Sequence, residues 1–455
     1  MAPPDWHPRH FASAPHRLAF AAAGLVLVAA SAWWLVVLAA GTGARAAHVP
    51  LMTFGFMPLF FAGFLFTAGP KWLQRPPVAA RVLAWPIASH ATGWAIVVAA
   101  AGAADPAGSE LRACGLAAMA AGWSLIVVRF VRLLRSSGVP DRAHARQIAA
   151  AMVFGALSMW TTAIAAAMAR EDVVRAASVA ALWGFVGVVF VTAAHRLVPF
   201  VSDAAVPALD ARHPRWLLTA LTTLLAVEAA AGAVDALGLP VGAHAWAARA
   251  ALETFAGLAL AALALRWARL PGARLRMTAA LRVGWLWFAA GWGMLAGAHA
   301  ARAIGTPAPA WEHAALHAYT MGFLGATMFA MVSRVSATQQ GRSVGIDGVA
   351  WALFWLLQVA VVLRVGYALG PHRPHAPWLL VASAAVWGLV MTAWTARHVY
   401  WFGQPPRGRL PPARLSRARA SRSRAADRRR RSRAAARRRP LRVPHVRARA
   451  GCSAR

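Results

Sequence analysis

The sequence predicts an all-α, polytopic membrane protein with about twelve transmembrane helices and both termini in the cytoplasm. Hydrophobic residues make up 59% of the 455-residue chain and charged residues only 14%, against about 45–50% and 25% in soluble domains. The chain contains twelve apolar runs of about 20 residues, which is the length that crosses a bilayer as a helix. Basic residues are concentrated in alternate loops between these runs. A soluble enzyme, a fibre and a small secreted protein are therefore all disfavoured.

The twelve apolar runs follow one another along almost the whole chain. Helix-breaking pairs such as Gly69-Pro70 and Pro271-Gly272 lie between runs, where the chain must turn back. Pro58 and Pro86 lie inside runs, and we expect them to kink their helices. The first run follows Arg17 and is too long for a cleaved signal peptide. The runs lie at roughly 18–40, 51–69, 82–103, 111–131, 148–168, 173–194, 216–238, 246–266, 279–301, 313–332, 347–369 and 378–400.

The composition divides the chain into three segments. Residues 1–17 are predicted to be a cytoplasmic N-terminal segment, residues 18–402 the transmembrane domain, and residues 403–455 an Arg-rich disordered tail. From residue 402 onward there are 19 arginines and a single acid, Asp427. Three interpretations of this segment stay open: a cytoplasmic tail attracted to anionic lipid, the product of translation in a shifted reading frame, and a nucleic-acid-binding segment. Because the tail lacks aromatic residues for stacking, we expect no nucleic-acid partner.

The basic residues of the loops predict the orientation of the chain in the membrane. Twenty of them lie in or beside the loops on one side and seven on the other. Cytoplasmic loops carry the excess of Lys and Arg, so both termini are predicted to be cytoplasmic.

The two cysteines, Cys114 and Cys452, provide neither a disulfide framework nor a CxxC metal motif. Any metal ligands must therefore be histidine, methionine or carboxylate.

Four histidines are predicted to converge on the outer level of the membrane. His48 precedes the second run, His299 nearly ends the ninth, and His313 and His317 lie one helical turn apart in the tenth. Imidazole is costly in hydrocarbon unless it faces the bundle interior, and it is a preferred ligand of heme iron and copper. The cluster is therefore a candidate cofactor-binding site. The alternative is that each imidazole only hydrogen-bonds to a neighbouring helix.

Four further ionisable residues are predicted to lie within the membrane. They are His90 in the third run, Glu228 in the seventh, Glu253 in the eighth and Arg364 in the eleventh. Such residues either form structural Glu–Arg pairs or line a path for protons or small ligands. His195, at the cytoplasmic end of the sixth run, is a further polar site.

A faint internal repeat links the sixth and tenth runs. Gly184-Phe185-Val186-Gly187 matches Gly322-Phe323-Leu324-Gly325 at an offset of 138 residues. Such short matches in glycine-rich helices are weak evidence for duplication, and we interpret them as coincidence.

Several segments of the chain resemble the NnrS family of membrane proteins. Asp141 with His144 is similar to a family loop, and the resemblance spans about residues 14–402. The matching blocks are His48-Val49-Pro50-Leu51-Met52-Thr53-Phe54-Gly55-Phe56, His195-Arg196-Leu197-Val198-Pro199-Phe200, and Leu316-His317-Ala318 with Arg334-Val335. Two positions depart from the family. Thr338-Gln339-Gln340-Gly341-Arg342 replaces a Gly-His-x-Gly-Arg motif, and Leu281-Arg282 replaces Leu-His. A metal site that needs those two histidines is not supported.

The resemblance implies a bacterial inner-membrane protein that binds heme and copper and is associated with denitrification and nitric oxide stress. It carries over His48, His195 and His317 as metal candidates, without a defined ligand role. The implied partners are membrane lipid, nitric oxide and a heme or copper donor. One alternative is a small-ligand permease whose path is lined by Glu228, Glu253 and Arg364. A further alternative is a heme-dependent oxidoreductase that consumes nitric oxide, and whether the protein is an enzyme is left open.

Overall fold

The computed structural model describes residues 6–41, 47–101, 106–201, 215–268, 275–341, 346–370 and 377–405. Predictions about the Arg-rich tail from residue 406 onward lie outside these ranges. Throughout the described ranges the chain is helical and contains no strand, which confirms the all-α fold class. After a 3₁₀ turn at Pro8–Ser13, the helices are α1 (Pro15–Ala40), α2 (His48–Phe54), α3 (Phe56–Trp72), α4 (Arg81–Ala100), α5 (Pro106–Arg135), α6 (Ala143–Ala167), α7 (Glu171–Ala181), α8 (Val188–Val201), α9 (Arg215–Ala236), α10 (Ala243–Ala268), α11 (Arg276–Ala303), α12 (Pro309–His317), α13 (Ala326–Gln339), α14 (Gly348–Leu369) and α15 (Pro377–Phe402).

Eleven stretches of helix in the described ranges are long and apolar enough to cross a membrane. The predicted ninth run is α11, which is 28 residues long but is not among the eleven. Its four glycines and three tryptophans make it less apolar than its neighbours, although it is long enough to span. The chain is therefore a polytopic helical membrane protein. The orientation of its termini stays a prediction.

The outer surface of the bundle is apolar, as is its interior. Large apolar side chains such as Phe255, Leu258 and Leu389 are mostly exposed, while Trp123, Trp285 and others are fully buried. A helix that is apolar on all sides is typical of a membrane span, because lipid rather than water surrounds it. Burial in this fold therefore comes from helix packing, and the exposed apolar side chains face the bilayer.

Three interrupted helices form the centre of the bundle. In the second, sixth and tenth predicted runs, 89%, 83% and 72% of the residues in the most apolar stretch are buried, against 33–56% in the other eight stretches. The second run breaks at Gly55, between α2 and α3. The sixth and tenth contain π-helical segments, Leu182–Gly187 between α7 and α8 and Ala318–Gly325 between α12 and α13. Such wide turns inside helices occur frequently at functional sites.

The two π-helical segments belong to a repeated unit. The same offset of 138 residues separates Glu171 from Pro309, Val188 from Ala326 and Val201 from Gln339. These are the first residues of α7 and α12, the first of α8 and α13, and the last of α8 and α13. The sequence repeat therefore coincides with two similar units of helix, π-segment and helix.

Glycine and proline explain where the second run breaks. A Cβ atom at Gly55 would overlap the Leu51 carbonyl oxygen and the Trp94 indole, so the break requires glycine. Pro58 lies in the first turn of α3, where proline costs no backbone hydrogen bond. The predicted kink at Pro58 is therefore a helix start, and the interruption comes three residues earlier.

The N-terminal segment is joined to the end of the last helix. Arg17 is buried in the first turn of α1, and its guanidinium donates to the carbonyl oxygens of Phe402 (3.0 Å) and Gln404 (2.7 Å). The His7 amide also donates to the Gly403 carbonyl oxygen at 2.9 Å. These bonds satisfy carbonyl groups that lack partners at the C-terminus of a helix. These contacts thus join the N-terminal segment to the residues at the end of α15.

Candidate functional site

A cavity of about 150 Å³ lies where the three interrupted helices meet. Side chains from α2, from the start of α3 and from both π-helical segments line it, and α1, α12, α14 and α15 complete the wall. Apart from hydroxyl and indole groups, its polar lining consists of His48, His317 and Arg364. The remaining wall is apolar and includes the methionines Met52, Met57 and Met321. We call this space the histidine cavity.

His317 is oriented by its own helix. It is the last residue of α12, and its Nδ1–H donates to the His313 carbonyl oxygen at 2.8 Å. Since a carbonyl oxygen can only accept, Nδ1 carries the proton and Nε2 has a free lone pair. Nε2 forms no hydrogen bond with any residue that the structure describes. The imidazole therefore has one nitrogen available to a ligand.

His48 is held by an aromatic contact at the start of α2. Its ring centroid lies 3.9 Å from that of Trp34 on α1, at an interplanar angle of 42°. Its Nδ1 is buried and has no hydrogen-bond partner among the described residues. An unsatisfied buried nitrogen costs about 1–3 kcal/mol, so a group that fills the cavity and bonds to this imidazole would be favoured.

Arg364 adds a positive charge to the cavity. It lies on α14, with its guanidinium carbon 5.7 Å from the centre of the Tyr367 ring. It lines the same cavity as His48 and His317. No Asp or Glu is among the described residues that line the cavity. The site is therefore cationic, with two imidazoles beside one guanidinium.

The other two histidines of the predicted cluster lie elsewhere. His299 is buried on α11, where its Nδ1 lies 2.8 Å from each Glu253 carboxylate oxygen and its ring stacks on Trp246. The His313 side chain is exposed, and only its carbonyl oxygen contacts His317. Depth in the membrane was predicted from the sequence, but the direction in which each helix faces was not. The structure thus brings together His48 and His317 and separates His299 and His313 from them.

The intramembrane carboxylates bind Arg249, which is one of the seven basic residues counted above for the less basic side. Arg249 on α10 contacts Glu228 at 2.5 Å, Asp235 at 2.5 Å and Glu253 at 3.1 Å. The Glu–Arg pairing considered above is thus formed by Arg249 and not by Arg364. Because Arg364 lies in the histidine cavity, the predicted polar path through Glu228, Glu253 and Arg364 is not formed. Asp235 and Arg249 were not predicted as intramembrane residues, because both lie near the ends of their helices.

His90 supports the break in the second run. It is fully buried on α4, with Nε2 2.7 Å from the Phe54 carbonyl oxygen and 3.1 Å from that of Gly55. Its Nδ1 lies 3.1 Å from the Met119 carbonyl oxygen. His90 therefore joins neither the histidine cavity nor the carboxylates, and it contacts the carbonyl groups beside the break at Gly55.

His195 contacts a second histidine at the other end of the bundle. Its Nδ1 lies 3.0 Å from Nε2 of His144, which belongs to the loop segment that resembled the family. Nearby, the Ala143 amide and Arg215 hold the pKa of the Asp141 carboxyl below its usual range.

Among the residues that the structure describes, no group of three or more His, Cys, Asp or Glu is arranged to hold a metal ion. The ligand roles predicted for His195, His48 and His317 stay predictions.

A second cavity, of about 180 Å³, lies between the C-terminal halves of α3 and α13. Lys71, Arg334 and the methionines Met277 and Met331 are among its lining residues. The two cavities are thus near opposite ends of the same central helices. Buried aromatic rings, including Phe60, Phe61 and Phe329, fill the bundle between those ends.

Comparison of the sequence with known protein families finds a match over most of the chain. The family described as NnrS protein matches residues 10–406. No curated protein matches the chain. The matched range includes every residue of the histidine cavity.

Proposed function

Since the chain belongs to the NnrS family, we propose that it is a bacterial inner-membrane protein that binds heme in the histidine cavity. The proposed role is in the response to nitric oxide or in denitrification, with nitric oxide as the small ligand and a heme donor as a partner. The observation that carries the proposal is that His48 and His317, from separate helices, line one cavity.

The protonation pattern of His317 supports a ligand role. Histidines that bind metals usually donate their second ring N–H to a carbonyl or carboxylate group, which fixes the tautomer. His317 does this through Nδ1 and the His313 carbonyl oxygen. Its Nε2 would then be the nitrogen that binds a ligand. One or two imidazoles are sufficient to hold heme iron, and the macrocycle would extend beyond the cavity volume of about 150 Å³.

Copper is a second candidate for the same cavity. Thioether and imidazole groups suit Cu(I), and Met52, Met57 and Met321 line the cavity together with both histidines. We propose no separate copper centre elsewhere in the described ranges.

When bound, heme iron would supply a site at which nitric oxide coordinates. The protein would supply the imidazoles, the apolar wall and a positive charge.

The permease alternative is less well supported. It needed Glu228, Glu253 and Arg364 on one path, whereas the two carboxylates bind Arg249 and Arg364 lies in the histidine cavity. For the oxidoreductase alternative, we assign no catalytic residue.

The experiment that tests the proposal is an absorption spectrum of the purified protein, combined with metal analysis, for four histidine variants. His317→Ala and His48→Ala should each remove or shift the Soret band, because each removes an imidazole from the cavity. His313→Ala is the matched control, since it lies one turn from His317 with an exposed side chain and should keep the wild-type spectrum. Wild-type heme content in both cavity variants would refute the proposal. Loss of heme in His195→Ala alone would move the site to the opposite end of the bundle.

A further inference from the structure

We propose that Arg364 binds a carboxylate of the ligand in the histidine cavity, so that the site selects an anionic tetrapyrrole over an uncharged one. This inference rests on the proposed heme site and goes beyond it, because it assigns the part of the ligand that a residue other than histidine recognises.

The first observation is that Arg364 has no anionic partner within the described ranges. It forms no ion pair or hydrogen bond there, and its one aromatic contact is with Tyr367. Two other arginines in the spans have carboxylate partners. Arg249 binds three carboxylates, and Arg302 binds Glu312 at 2.6 Å. An unpaired guanidinium within a membrane is costly, so its position beside a cavity needs an explanation.

The second observation is the composition of the cavity wall. Arg364 lies in the same cavity as His48 and His317, and none of the described residues that line it is a carboxylate. In the proposed complex, the occupant supplies the negative charge that balances the guanidinium. A ligand whose metal is bound by His48 or His317 would need an acidic group on an edge that reaches α14.

The chemistry of the guanidinium defines that acidic group. Arginine presents a planar fork of N–H donors that matches the two oxygens of a carboxylate. Such charge-assisted hydrogen bonds are stronger where water is scarce. Heme carries two propionate groups on one edge, so pairing with Arg364 would orient the ring about the axis through its iron. The imidazoles would hold the metal, and Arg364 would fix the rotation of the macrocycle.

The test compares heme with its dimethyl ester, which keeps the iron and the ring but lacks both carboxylates. Purified full-length protein depleted of cofactor is titrated with each compound, and binding is followed by the Soret band. Wild-type protein should bind heme about ten- to a hundredfold more tightly than the ester, which is the range expected for one hydrogen-bonded charge pair. Arg364→Gln should bind both compounds equally, at the affinity of the wild type for the ester.

Two further variants keep the test independent of folding defects. Arg364→Lys retains the charge without the planar fork and should keep part of the preference. Arg302→Gln is the matched control, because Arg302 is a half-buried arginine paired with Glu312 outside the cavity, and it should keep the full preference. Resonance Raman bands of the propionates should change in Arg364→Gln while the iron–histidine bands do not.

Two results would overturn the inference in different ways. Equal binding of heme and the ester by wild type, or an unchanged preference in Arg364→Gln, would show that Arg364 does not contact a carboxylate, while the heme site itself would stand. Binding of neither compound by wild type would refute the heme site and the inference together.

Discussion

At the scale of single residues, specific ion-pair partners balance the buried charges. Glu228 and Glu253 are buried carboxylates, and each contacts the guanidinium of Arg249. Glu253 also contacts His299 from the other side. Removing one partner from a buried ion pair leaves an uncompensated charge, which is far more costly than losing an exposed pair. The fold therefore depends on Arg249 more than on arginines at the surface.

We expect Arg249→Gln to lower the free energy of unfolding by about 3–5 kcal/mol, because it leaves buried carboxylates without a counter-charge. Arg302→Gln should cost no more than about 1 kcal/mol, since its partner Glu312 is partly exposed. Reversible unfolding of the two variants in detergent micelles measures the difference. Equal losses in both variants would contradict the assignment of Arg249 as the main counter-charge.

At the scale of elements, the interrupted helices create the cavity. A regular α-helix presents a continuous surface of side chains, whereas a break or a π-helical segment shifts the side chains that follow it. The break at Gly55 and both π-helical segments lie at the histidine cavity. The two π-helical segments also contact each other, since Trp183 stacks on Tyr319 at 4.0 Å and the Tyr319 hydroxyl donates to the Leu182 carbonyl oxygen at 3.4 Å.

We expect Gly187→Ala to disturb this contact, because a Cβ atom at Gly187 would overlap the Tyr319 hydroxyl oxygen. The variant should lose about 1–3 kcal/mol of stability, as overpacked cores do. Tyr319→Phe removes the overlapping atom, so the double variant should recover most of the loss. A double-variant cycle on thermal unfolding measures this coupling.

Gly293→Ala provides the control for that cycle. It lies in α11 with open space around its Cβ position, and alanine should stabilise the helix slightly. If the double variant were as unstable as the sum of the two single changes, the proposed contact between the π-helical segments would not explain the effect of Gly187→Ala.

At the scale of the whole molecule, the helices are arranged around the second, sixth and tenth runs. These three are four runs apart, and all are interrupted and more buried than the other apolar stretches. Two of them share an offset of 138 residues at the start of the first helix and at both ends of the second. This regular spacing favours a bundle built from repeated groups of four helices, with one central member in each group.

The orientation of this bundle is testable with fusions at four positions. The asymmetry of twenty basic residues against seven predicts that a reporter active only in the periplasm works after Gly108 or Gly305 and not after Gly138 or Gly272. A reporter active only in the cytoplasm serves as the control and should show the reverse pattern. Opposite results at two of the four positions would overturn the predicted orientation.

Much of the architecture follows from local sequence. Apolar runs of sufficient length must form helices in a membrane, because every backbone group needs a hydrogen-bond partner within the chain. All twelve predicted runs correspond to helices in the described ranges, and their ends agree to within seven residues. The central break was predicted in the correct run but at Pro58 instead of Gly55, because a steric requirement for glycine arises from the neighbouring Trp94 on another helix.

The candidate site was predictable only in part, and the reason is physical. Sequence position determines how deep a histidine lies, so His48, His299, His313 and His317 were all reasonable members of one cluster. Which of them meet depends on the rotation of each helix about its axis and on its neighbours, and those are long-range packing properties. The same packing pairs Glu228 and Glu253 with Arg249 and leaves Arg364 beside His48 and His317. Hydropathy and charge thus determine the helices and their predicted orientation, whereas contacts between distant helices determine the site.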